Sequence, residues 1–402
     1  MGALANVTYL INVDASGNHN KFYRMIPCGN RFTVEYGRVG STGIKKSYPI
    51  NLWSDKYQEK LRKGYVDQTH LHTDTVTELC DDNYKIIDNF EVRGFIARLR
   101  TWANEKIKSS YTVSTKAVTE KMVREAQNII DSMACLNTQD IRAFNEYLIE
   151  LYQVLPRRIK DVSKELAKKS SDIPQILLKE QGLLEVMKAQ IKTDAVVESM
   201  KKSGSANTIT VLEAMGLEVR PCTDEEIDTI KEHLTEESAG HFKAAYRVVN
   251  KAREKAFNEY VKNNNISNVR MYYHGSRNEN IWGILTQGLS LNPKAIITGK
   301  MFGYGLYFAP RAKKSINYTS LRGSYWANGS SDVGILAVFK VAVGESLHVN
   351  EWNSGYSVYR EADIKRFGKN SLYAHAGKSL VNDEIIVYND AAVTLRYLIE
   401  LQ

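Results

Sequence analysis

Cysteine is scarce in this 402-residue chain, and the four cysteines stand far apart. They are Cys28, Cys80, Cys135 and Cys222, and none forms a Cys-x-x-Cys pair. Structural zinc sites need grouped ligands, and disulfide frameworks need many cysteines in a short chain. We therefore expect no metal site and no disulfides, and free thiols in a reducing compartment.

Long apolar runs are missing as well. No stretch reaches about 18 apolar residues, the length needed to cross a membrane as a helix. The opening segment MGALANVTYLINVDASG has no basic region followed by an apolar one, so it does not have the pattern of a secretory signal. We expect an intracellular protein without a membrane partner, cytoplasmic or nucleoid-associated in a bacterium and nuclear in a eukaryote.

Three common catalytic motifs are also absent. Residues 299–301 read Gly-Lys-Met without the Ser or Thr of a phosphate loop, and Lys294 replaces the first glycine of that loop. The segment FGYGLYF opens no strand–helix–strand unit, so it does not predict a dinucleotide fold of the hydride-transferring type. No Gly-x-Ser-x-Gly sequence is present to carry a serine hydrolase.

Positive charge is present in excess and is unevenly distributed. The formal net charge is +8, and residues 1–66 hold ten lysines and arginines against four acidic residues, a surplus of six. A surplus confined to one region is typical of a surface that binds a phosphate-rich partner. A basic, merely soluble face is the alternative that charge alone leaves open.

The chain divides into three regions by pattern. The first contains RFTVEYGRVGSTG, which alternates like a half-buried strand, and LWSDKYQEKLRKGY, which has helical spacing and a stop at Gly64. The second reads as helical over 89–193, with Pro156 ending one helix and Pro174 in the first turn of another. Its apolar stripes are typical of core packing in a helical bundle. They comprise Val92, Phe95, Ile96 and Leu99; Met122, Val123, Ala126, Ile129, Ile130 and Met133; and Ile141, Phe144, Leu148, Leu151 and Leu155.

A Lys-, Ser- and Gly-rich stretch at 193–209 predicts a join to the third region. That region opens with an acidic helix around TDEEIDTIKEHL. It then becomes rich in β-branched residues, which predicts strands at VGILAVFKVAVG and VTLRYLIEL. Within it, YYHGSRNEN (272–280) places His-Gly-Ser where a strand ends and a helix begins. TGKMFGYGLYFAPRAKKSINY (298–318) and NDEIIVY (382–388) follow.

These three segments, in this order, resemble the His-Tyr-Glu signature of the poly(ADP-ribose) polymerase family. VEYGRVGSTG resembles the WGR module, with Tyr36 at its tryptophan position, and the helical block resembles the family's regulatory domain. The resemblance implies a multidomain α+β protein. Its parts would be a small β-rich WGR module (1–78), an all-α helical bundle (87–198) and a mixed α+β ADP-ribosyltransferase fold with antiparallel-rich sheets (199–402).

The resemblance implies an NAD+ ADP-ribosyltransferase in which NAD+ is the substrate and no metal takes part. Breaking the nicotinamide–ribose bond builds oxocarbenium character on the ribose. Glu384 would accept a hydrogen bond from the ribose and polarise the acceptor hydroxyl, and His274 would bind the other ribose. Gly275 would offer backbone groups to the nicotinamide amide. The resemblance makes Tyr307 the third catalytic residue, with His274 and Glu384. The remaining NAD+ contacts would come from Ser276, Asn280, Ser315, Tyr318 and Tyr307 itself, with both tyrosines sandwiching the cationic ring.

The same resemblance implies a monomer that binds DNA with strand breaks and modifies protein acceptors, itself included. Tyr36, Arg38, Lys45 and Lys46 are the DNA-binding candidates, and the helical block would restrain the transferase until DNA binds. Polymer formation is the expected activity. A mono-ADP-ribosyltransferase or NAD glycohydrolase, and a catalytically silent DNA-end-binding protein, remain as alternatives. Ser290 and Asn382 depart from the family pattern, which implies weaker NAD+ affinity and altered chain growth.

Overall fold

The computed structural model describes residues 7–71, 85–111, 118–136, 139–204, 208–234, 236–291 and 301–402. Cys80, Lys294 and residues 298–300 of the second motif lie outside these ranges. The chain forms two compact units. The first comprises Met1–Asp81 with Glu105–Ile191, and the second comprises Asp82–Asn104 with Lys192–Gln402. Among the described helices, none combines the length and the apolar character needed to cross a membrane.

The first unit contains an antiparallel sheet of five strands in the order β4-β3-β2-β1-β5. The strands are β1 (Thr8–Asp14), β2 (His19–Cys28), β3 (Arg31–Arg38), β4 (Ile44–Pro49) and β5 (Val66–Asp67). Helix α1 (Trp53–Arg62) is amphipathic and covers one face, where Leu10, Met25 and Phe32 form a core. Alternating side chains on β3 therefore divide between core and solvent, as the sequence predicts.

Four longer helices follow this sheet. They are α2 (Phe90–Ser110), α3 (Glu120–Cys135), α4 (Ile141–Val154) and α5 (Ile173–Lys202). The apolar stripes of α2 and α3 are buried throughout, and that of α4 is buried from Phe144 onward. Thr119 and Asp140 cap α3 and α4 with side-chain oxygens, so both helices begin at a satisfied backbone. Helices α2 and α5 each contribute residues to both units.

The prediction of a join beginning at residue 193 is wrong for its first ten residues. Helix α5 continues to Lys202, because Val197 and Met200 keep the helical spacing and are buried. Pro174 lies in the first turn of this helix, as predicted. The segment has the polar composition of a linker because most side chains between its apolar positions face solvent at least in part.

The second unit is built on two sheets. The larger has five antiparallel strands in the order β6-β7-β14-β10-β8: β6 (Leu217–Pro221), β7 (Phe242–Asn250), β14 (Val393–Leu401), β10 (Gly334–Ala342) and β8 (Val269–Gly275). The smaller has the order β11-β12-β13-β9: β11 (Ser346–Val349), β12 (Ser371–Ala374), β13 (Glu384–Val387) and β9 (Leu306–Phe308). Only β11 and β12 pair in parallel among the described strands. The strands predicted at residues 333–344 and 393–401 are confirmed as β10 and β14.

Shorter helices complete the second unit. They are α6 (Val211–Ala214), α7 (Asp224–His233), α8 (Glu236–Ala239), α9 (Lys251–Asn263), α10 (Asn278–Gln287), α11 (Ala312–Ile316) and α12 (Glu361–Arg366). The acidic helix is confirmed as α7, where Thr223 and Glu226 form a capping box. The two sheets meet where Tyr273 of β8 and Ala309 exchange a pair of backbone hydrogen bonds of 2.9 Å. This junction brings the ends of β8 and β9 together.

Candidate active site

The corner after β8 is formed as the sequence predicts. Strand β8 ends at Gly275 and α10 begins at Asn278, so His-Gly-Ser lies where the strand gives way to the turn. The backbone N–H of Asn278 donates to Ser320 Oγ at 2.9 Å, and its side chain donates to the carbonyl of Val333 at 2.8 Å. The buried Asn278 thereby fixes the direction in which the chain leaves the strand.

Gly275 lies directly against the segment that carries Ser315 and Tyr318. A Cβ atom at position 275 would collide with the carbonyl of Ser315 and come within 3.0 Å of Tyr318 Cβ. No side chain fits there without moving the backbone. The fold thus brings two distant segments together, with the backbone of Gly275 uncovered by any side chain of its own.

Tyr318 does not lie on one helix face with Ser315, although their spacing of three residues is typical of such a face. Helix α11 ends at Ile316, and Asn317 caps it. The helix ends there because the backbone and side-chain oxygens of Asn317 accept hydrogen bonds from residues 325–327. Tyr318 follows in a turn, in which its N–H donates to the Ser315 carbonyl at 3.1 Å.

His274 and Tyr307 are joined through the backbone. The Nδ1 of His274 lies 3.1 Å from the carbonyl oxygen of Tyr307. Since a carbonyl can only accept, Nδ1 carries the proton, and in the neutral ring Nε2 is then an acceptor. The His274 ring also lies against Phe308 and Phe339, with centroids 5.8 and 6.0 Å away. One hydrogen bond and two ring contacts therefore fix the orientation of the His274 ring.

The hydroxyl of Tyr307 forms two hydrogen bonds with the backbone of the preceding turn. It donates to the Gly303 carbonyl at 2.9 Å and accepts from the Phe302 N–H at 3.1 Å. Burial raises the pKa of this phenol above its ordinary value. Strand β9 holds the residue opposite Ile386 of β13. Tyr307 thus presents its ring, not an ionisable oxygen.

Ser276 and Asn280 form a polar pair beside the corner. The side-chain amide of Asn280 donates to Ser276 Oγ at 3.0 Å. Asn280 lies in the first turn of α10, and its N–H donates to the Arg277 carbonyl at 2.9 Å. The hydrogen bond therefore holds the Asn280 side chain at Ser276, the residue that directly follows Gly275.

Glu384 is the first residue of β13 and contacts a lysine. The Nζ of Lys314 contacts Oε1 of Glu384, and both side chains are largely buried, with 16% and 13% of their surface exposed. Lys314 directly precedes Ser315 on α11. The ion pair therefore links the carboxylate to the same short helix that positions Ser315.

Lys314 is the site residue that the sequence reasoning missed. Burial lowers the pKa of its ammonium from 10.5 to about 8, although the nearby Asp383 acts in the opposite direction. Asp383 itself accepts hydrogen bonds from Tyr373 and from the N–H of Ala376. The available signal was a lysine next to Ser315 in KKSINY, but sequence does not show that its ammonium is buried.

In the first unit, Tyr36, Lys45 and Lys46 lie on neighbouring strands at one edge of the sheet. Lys45 and Lys46 are exposed on the edge strand β4. The Lys46 ammonium lies 6.0 Å from the ring centroid of Tyr36, which also lies 5.9 Å from that of Tyr23. The edge strand therefore presents positive charge beside aromatic rings.

Arg38, the last residue of β3, has a different environment. Its guanidinium donates to the carbonyls of Ile159 and Lys160 at 3.1 and 2.8 Å. It also donates to the carbonyl and side-chain oxygens of Asn18. The adjacent strand repeats this connection, since Asn20 donates to the Arg157 carbonyl at 3.0 Å. These contacts join the sheet to the segment that follows α4.

Metal-ligating side chains are scattered over the described ranges. There, no three His, Cys, Asp or Glu side chains are grouped so that they could hold a metal ion. Cys28 and Cys135 are exposed and Cys222 is buried, and each is a free thiol.

Comparison with known families gives two matches. Residues 224–402 match the poly(ADP-ribose) polymerase catalytic domain, and residues 6–71 match the WGR domain. Every residue of the corner, of α11 and of β13 falls in the first range. A catalytic domain of this kind uses NAD+ as its substrate.

Three similar proteins illustrate how far the likeness extends. The chain is 31% identical to a putative poly(ADP-ribose) polymerase-like protein, 100L, of Invertebrate iridescent virus 6, over 39% of this chain and 83% of the relative. It is 32% identical to the uncharacterized protein 101L of the same virus, over 44% of this chain and 74% of the relative. It is 22% identical to poly(ADP-ribose) polymerase 2-B of Oryza sativa subsp. japonica, over 96% of this chain and 70% of the relative.

Proposed function

Because the chain belongs to the poly(ADP-ribose) polymerase family and is an NAD+ ADP-ribosyltransferase, we propose that it builds poly(ADP-ribose) when DNA breaks bind its first unit. The single observation that carries the catalytic part is the convergence of three distant segments. Gly275, Ser315 and Tyr318 meet at one corner, and Lys314 of the same helix contacts Glu384.

The nicotinamide end of NAD+ binds at Gly275. The absent side chain lets the Ser315 carbonyl pack against Gly275. The Gly275 backbone thereby lies beside Ser315 and Tyr318, where a planar carboxamide exchanges hydrogen bonds with it. Ser315 adds a hydroxyl, and the rings of Tyr307 and Tyr318 contact the cationic pyridinium, which an aromatic face attracts. The raised pKa of Tyr307 keeps its phenol protonated, so the ring stays neutral at physiological pH.

The adenosine-side ribose binds at His274. Because Nδ1 carries the proton toward the Tyr307 carbonyl, Nε2 has the lone pair that a ribose hydroxyl can donate to. Ser276 and Asn280 extend this polar surface along the first turn of α10. His274 thus contributes mainly to substrate binding.

Glu384 acts on the reacting ribose and on the acceptor. Its carboxylate accepts a hydrogen bond from the ribose 2′-hydroxyl, a contact that strengthens as positive charge develops on the ring. It also orients the hydroxyl of the growing chain as nucleophile. The ammonium of Lys314 pairs with this carboxylate and holds it in place on the opening residue of β13.

The response to DNA uses the basic edge of the first unit. The surplus of six positive charges in residues 1–66 and the exposed Lys45 and Lys46 suit the phosphate backbone, which dominates non-specific affinity. Arg38 connects the same sheet to the backbone after α4. A displacement of the sheet when DNA binds would therefore be transmitted by direct hydrogen bonds to the segment that follows α4.

The helices restrain the transferase through contacts within the second unit. Phe95 of α2 stacks on Tyr246 with ring centroids 4.0 Å apart and planes inclined by 11°. Arg98 of α2 pairs with the buried Glu400. Both contacts tie α2 to neighbouring strands of the larger sheet, since Tyr246 lies on β7 and Glu400 on β14.

The end of α5 adds a third contact within the same unit. Thr193 accepts a hydrogen bond from the indole N–H of Trp282 at 3.0 Å, and both side chains are fully buried. Trp282 lies on α10, the helix that leaves the catalytic corner. Loosening these contacts when DNA binds would shift the population toward the active form.

The test is product formation from NAD+ with and without nicked or blunt-ended duplex DNA. The expected products, on a denaturing gel, are long heterogeneous chains that depend on DNA. A discrete single addition would instead establish a mono-ADP-ribosyltransferase, and free ADP-ribose alone an NAD glycohydrolase. DNA binding without NAD+ consumption would establish the silent DNA-end-binding protein.

A further inference from the structure

Two exposed aromatic residues lie on an ordered loop beside the corner. Trp326 has 63% and Tyr325 has 71% of its surface exposed. The ring of Trp326 stacks on that of Tyr318, with centroids 6.3 Å apart and planes inclined by 18°. Tyr325 meets Trp326 edge to face at 4.8 Å. None of the catalytic motifs includes this pair.

The loop is held in place by Asn317. The N–H groups of Trp326 and Ala327 donate to the Asn317 carbonyl at 3.0 and 3.1 Å, and the Tyr325 N–H donates to its side-chain oxygen at 3.2 Å. The residue next to Tyr318 thus fixes the backbone that carries Trp326. The backbone positions of Tyr318 and Trp326 are therefore fixed relative to each other, and this favours stacking of the two rings.

Further contacts close the base of the loop. Arg322 and Ser331 are joined by a backbone hydrogen bond of 2.7 Å, and Arg322 pairs with Asp332. A Cβ atom at Gly329 would collide with the carbonyl of Leu321. The chain therefore passes closely over itself, and the loop presents its aromatic side chains from a rigid base.

We propose that Trp326 is a positioning residue for the nicotinamide ring of NAD+. It covers one face of Tyr318 and holds the ring of Tyr318 so that the other face stacks on the nicotinamide. This inference rests on the proposed function, in which Tyr318 contacts that ring. Stacked aromatic pairs favour offset parallel geometry in this distance range, and a cationic ring adds attraction to an electron-rich face.

Without Trp326, the half-exposed Tyr318 ring is free to turn. Ligand binding must then fix this ring, and the conformational entropy lost in doing so lowers the affinity for the ligand. The reacting bond is held by other groups, so binding suffers and the chemical step does not. We expect Trp326→Ala to raise the Kd of nicotinamide and the KM for NAD+ by about three- to tenfold, the range a stacked aromatic contact supplies. The expected kcat stays within about twofold of the parent value.

The experiment uses the full chain and nicotinamide as the binding probe, measured by calorimetry beside NAD+ kinetics. Trp326→Phe keeps a stacking ring and should restore affinity. Phe90→Ala is the matched control, because Phe90 is an exposed aromatic residue of the same unit, outside the loop. A melting curve checks that Trp326→Ala folds, and the exposure of Trp326 predicts that it does.

A second measurement needs no destabilising substitution. Nicotinamide binding should change the fluorescence of Trp326, read as the difference between the parent chain and Trp326→Phe. Equal nicotinamide affinity in Trp326→Ala and the parent, or no fluorescence difference, overturns the positioning role alone. A parent chain that neither binds nicotinamide nor consumes NAD+ overturns the proposed function, and the positioning role with it.

Discussion

The ammonium of Lys314 contacts the carboxylate of Glu384 across 70 residues of sequence. One partner lies on the short helix α11 and the other begins strand β13. Both are mostly buried, so the pair is shielded from solvent screening and removing either partner leaves a charge uncompensated. The behaviour of this pair tests the assigned chemistry most directly.

Glu384→Gln should end chain growth while sparing inhibitor binding. The amide keeps the size of the side chain but loses the negative charge, which acts mainly in the transition state. Losing one such contact typically lowers the rate by about 100- to 1000-fold. The measurements are product length on a denaturing gel and nicotinamide affinity by calorimetry. If this variant still makes long polymer, Glu384 is not the residue that supports chain growth.

Activity should fall on the alkaline side with a midpoint near pH 8. Lys314, whose pKa burial lowers to about 8, is charged below that pH and neutral above it, so the ion pair with Glu384 is lost as pH rises. Lys314→Arg should move the alkaline fall to higher pH, because guanidinium stays protonated. Lys314→Met should remove the fall near pH 8 altogether. If a fall near pH 8 persists in Lys314→Met, another group titrates there.

Gly275→Ala should strongly weaken nicotinamide binding. The added methyl group meets the Ser315 carbonyl, which must move and take Tyr318 with it. We expect at least about a hundredfold loss of nicotinamide affinity, since the backbone groups at the corner are displaced. Gly182→Ala is the control, because no atom lies within 4 Å of a Cβ there and α5 should accept alanine readily. Parent-like affinity in Gly275→Ala would show that nicotinamide binds elsewhere.

Arg38→Ala should separate DNA binding from activation. The guanidinium donates to carbonyls at Ile159 and Lys160, so its removal weakens the connection between the sheet and the segment after α4 and leaves the Asn20–Arg157 contact. DNA affinity should change little, while DNA-stimulated NAD+ turnover should drop by about tenfold or more. The paired substitution Lys45→Ala with Lys46→Ala should do the reverse, lowering affinity and reducing the salt slope by about 2. Equal loss of affinity in both variants would make Arg38 a phosphate contact.

Phe95→Ala should raise NAD+ turnover in the absence of DNA. The substitution removes the stack on Tyr246 and weakens the hold of α2 within the second unit. Phe144→Ala on α4 is the control, because Phe144 is equally buried but belongs to the first unit. Basal turnover is measured at a temperature where both variants remain folded. Similar basal rates in parent and Phe95→Ala would argue against restraint through this contact.

The sequence predicted the corner because its signals are local. Residues 272–280 contain both the end of a strand and the start of a helix, and the apolar residues after Glu384 indicate that it opens a strand. The Lys314–Glu384 pair could not be predicted, because strand order decides which residues meet across 70 positions. Arg38 shows another limit, since a phosphate and a backbone carbonyl are both acceptors and the sequence does not distinguish them.

Helix α5 has 30 residues, which corresponds to a length of about 45 Å. Its residues up to Ile191 belong to the first unit and those from Lys192 to the second, yet the helix is continuous. Met187 and Ala189 are buried on one side of this boundary, and Val197 and Met200 on the other. Amide hydrogens at the middle of the helix can exchange with water only after it opens locally. Amides in the middle of α5, between Met187 and Val197, should therefore exchange more slowly than those in its first and last turns, near Ile173 and Lys202.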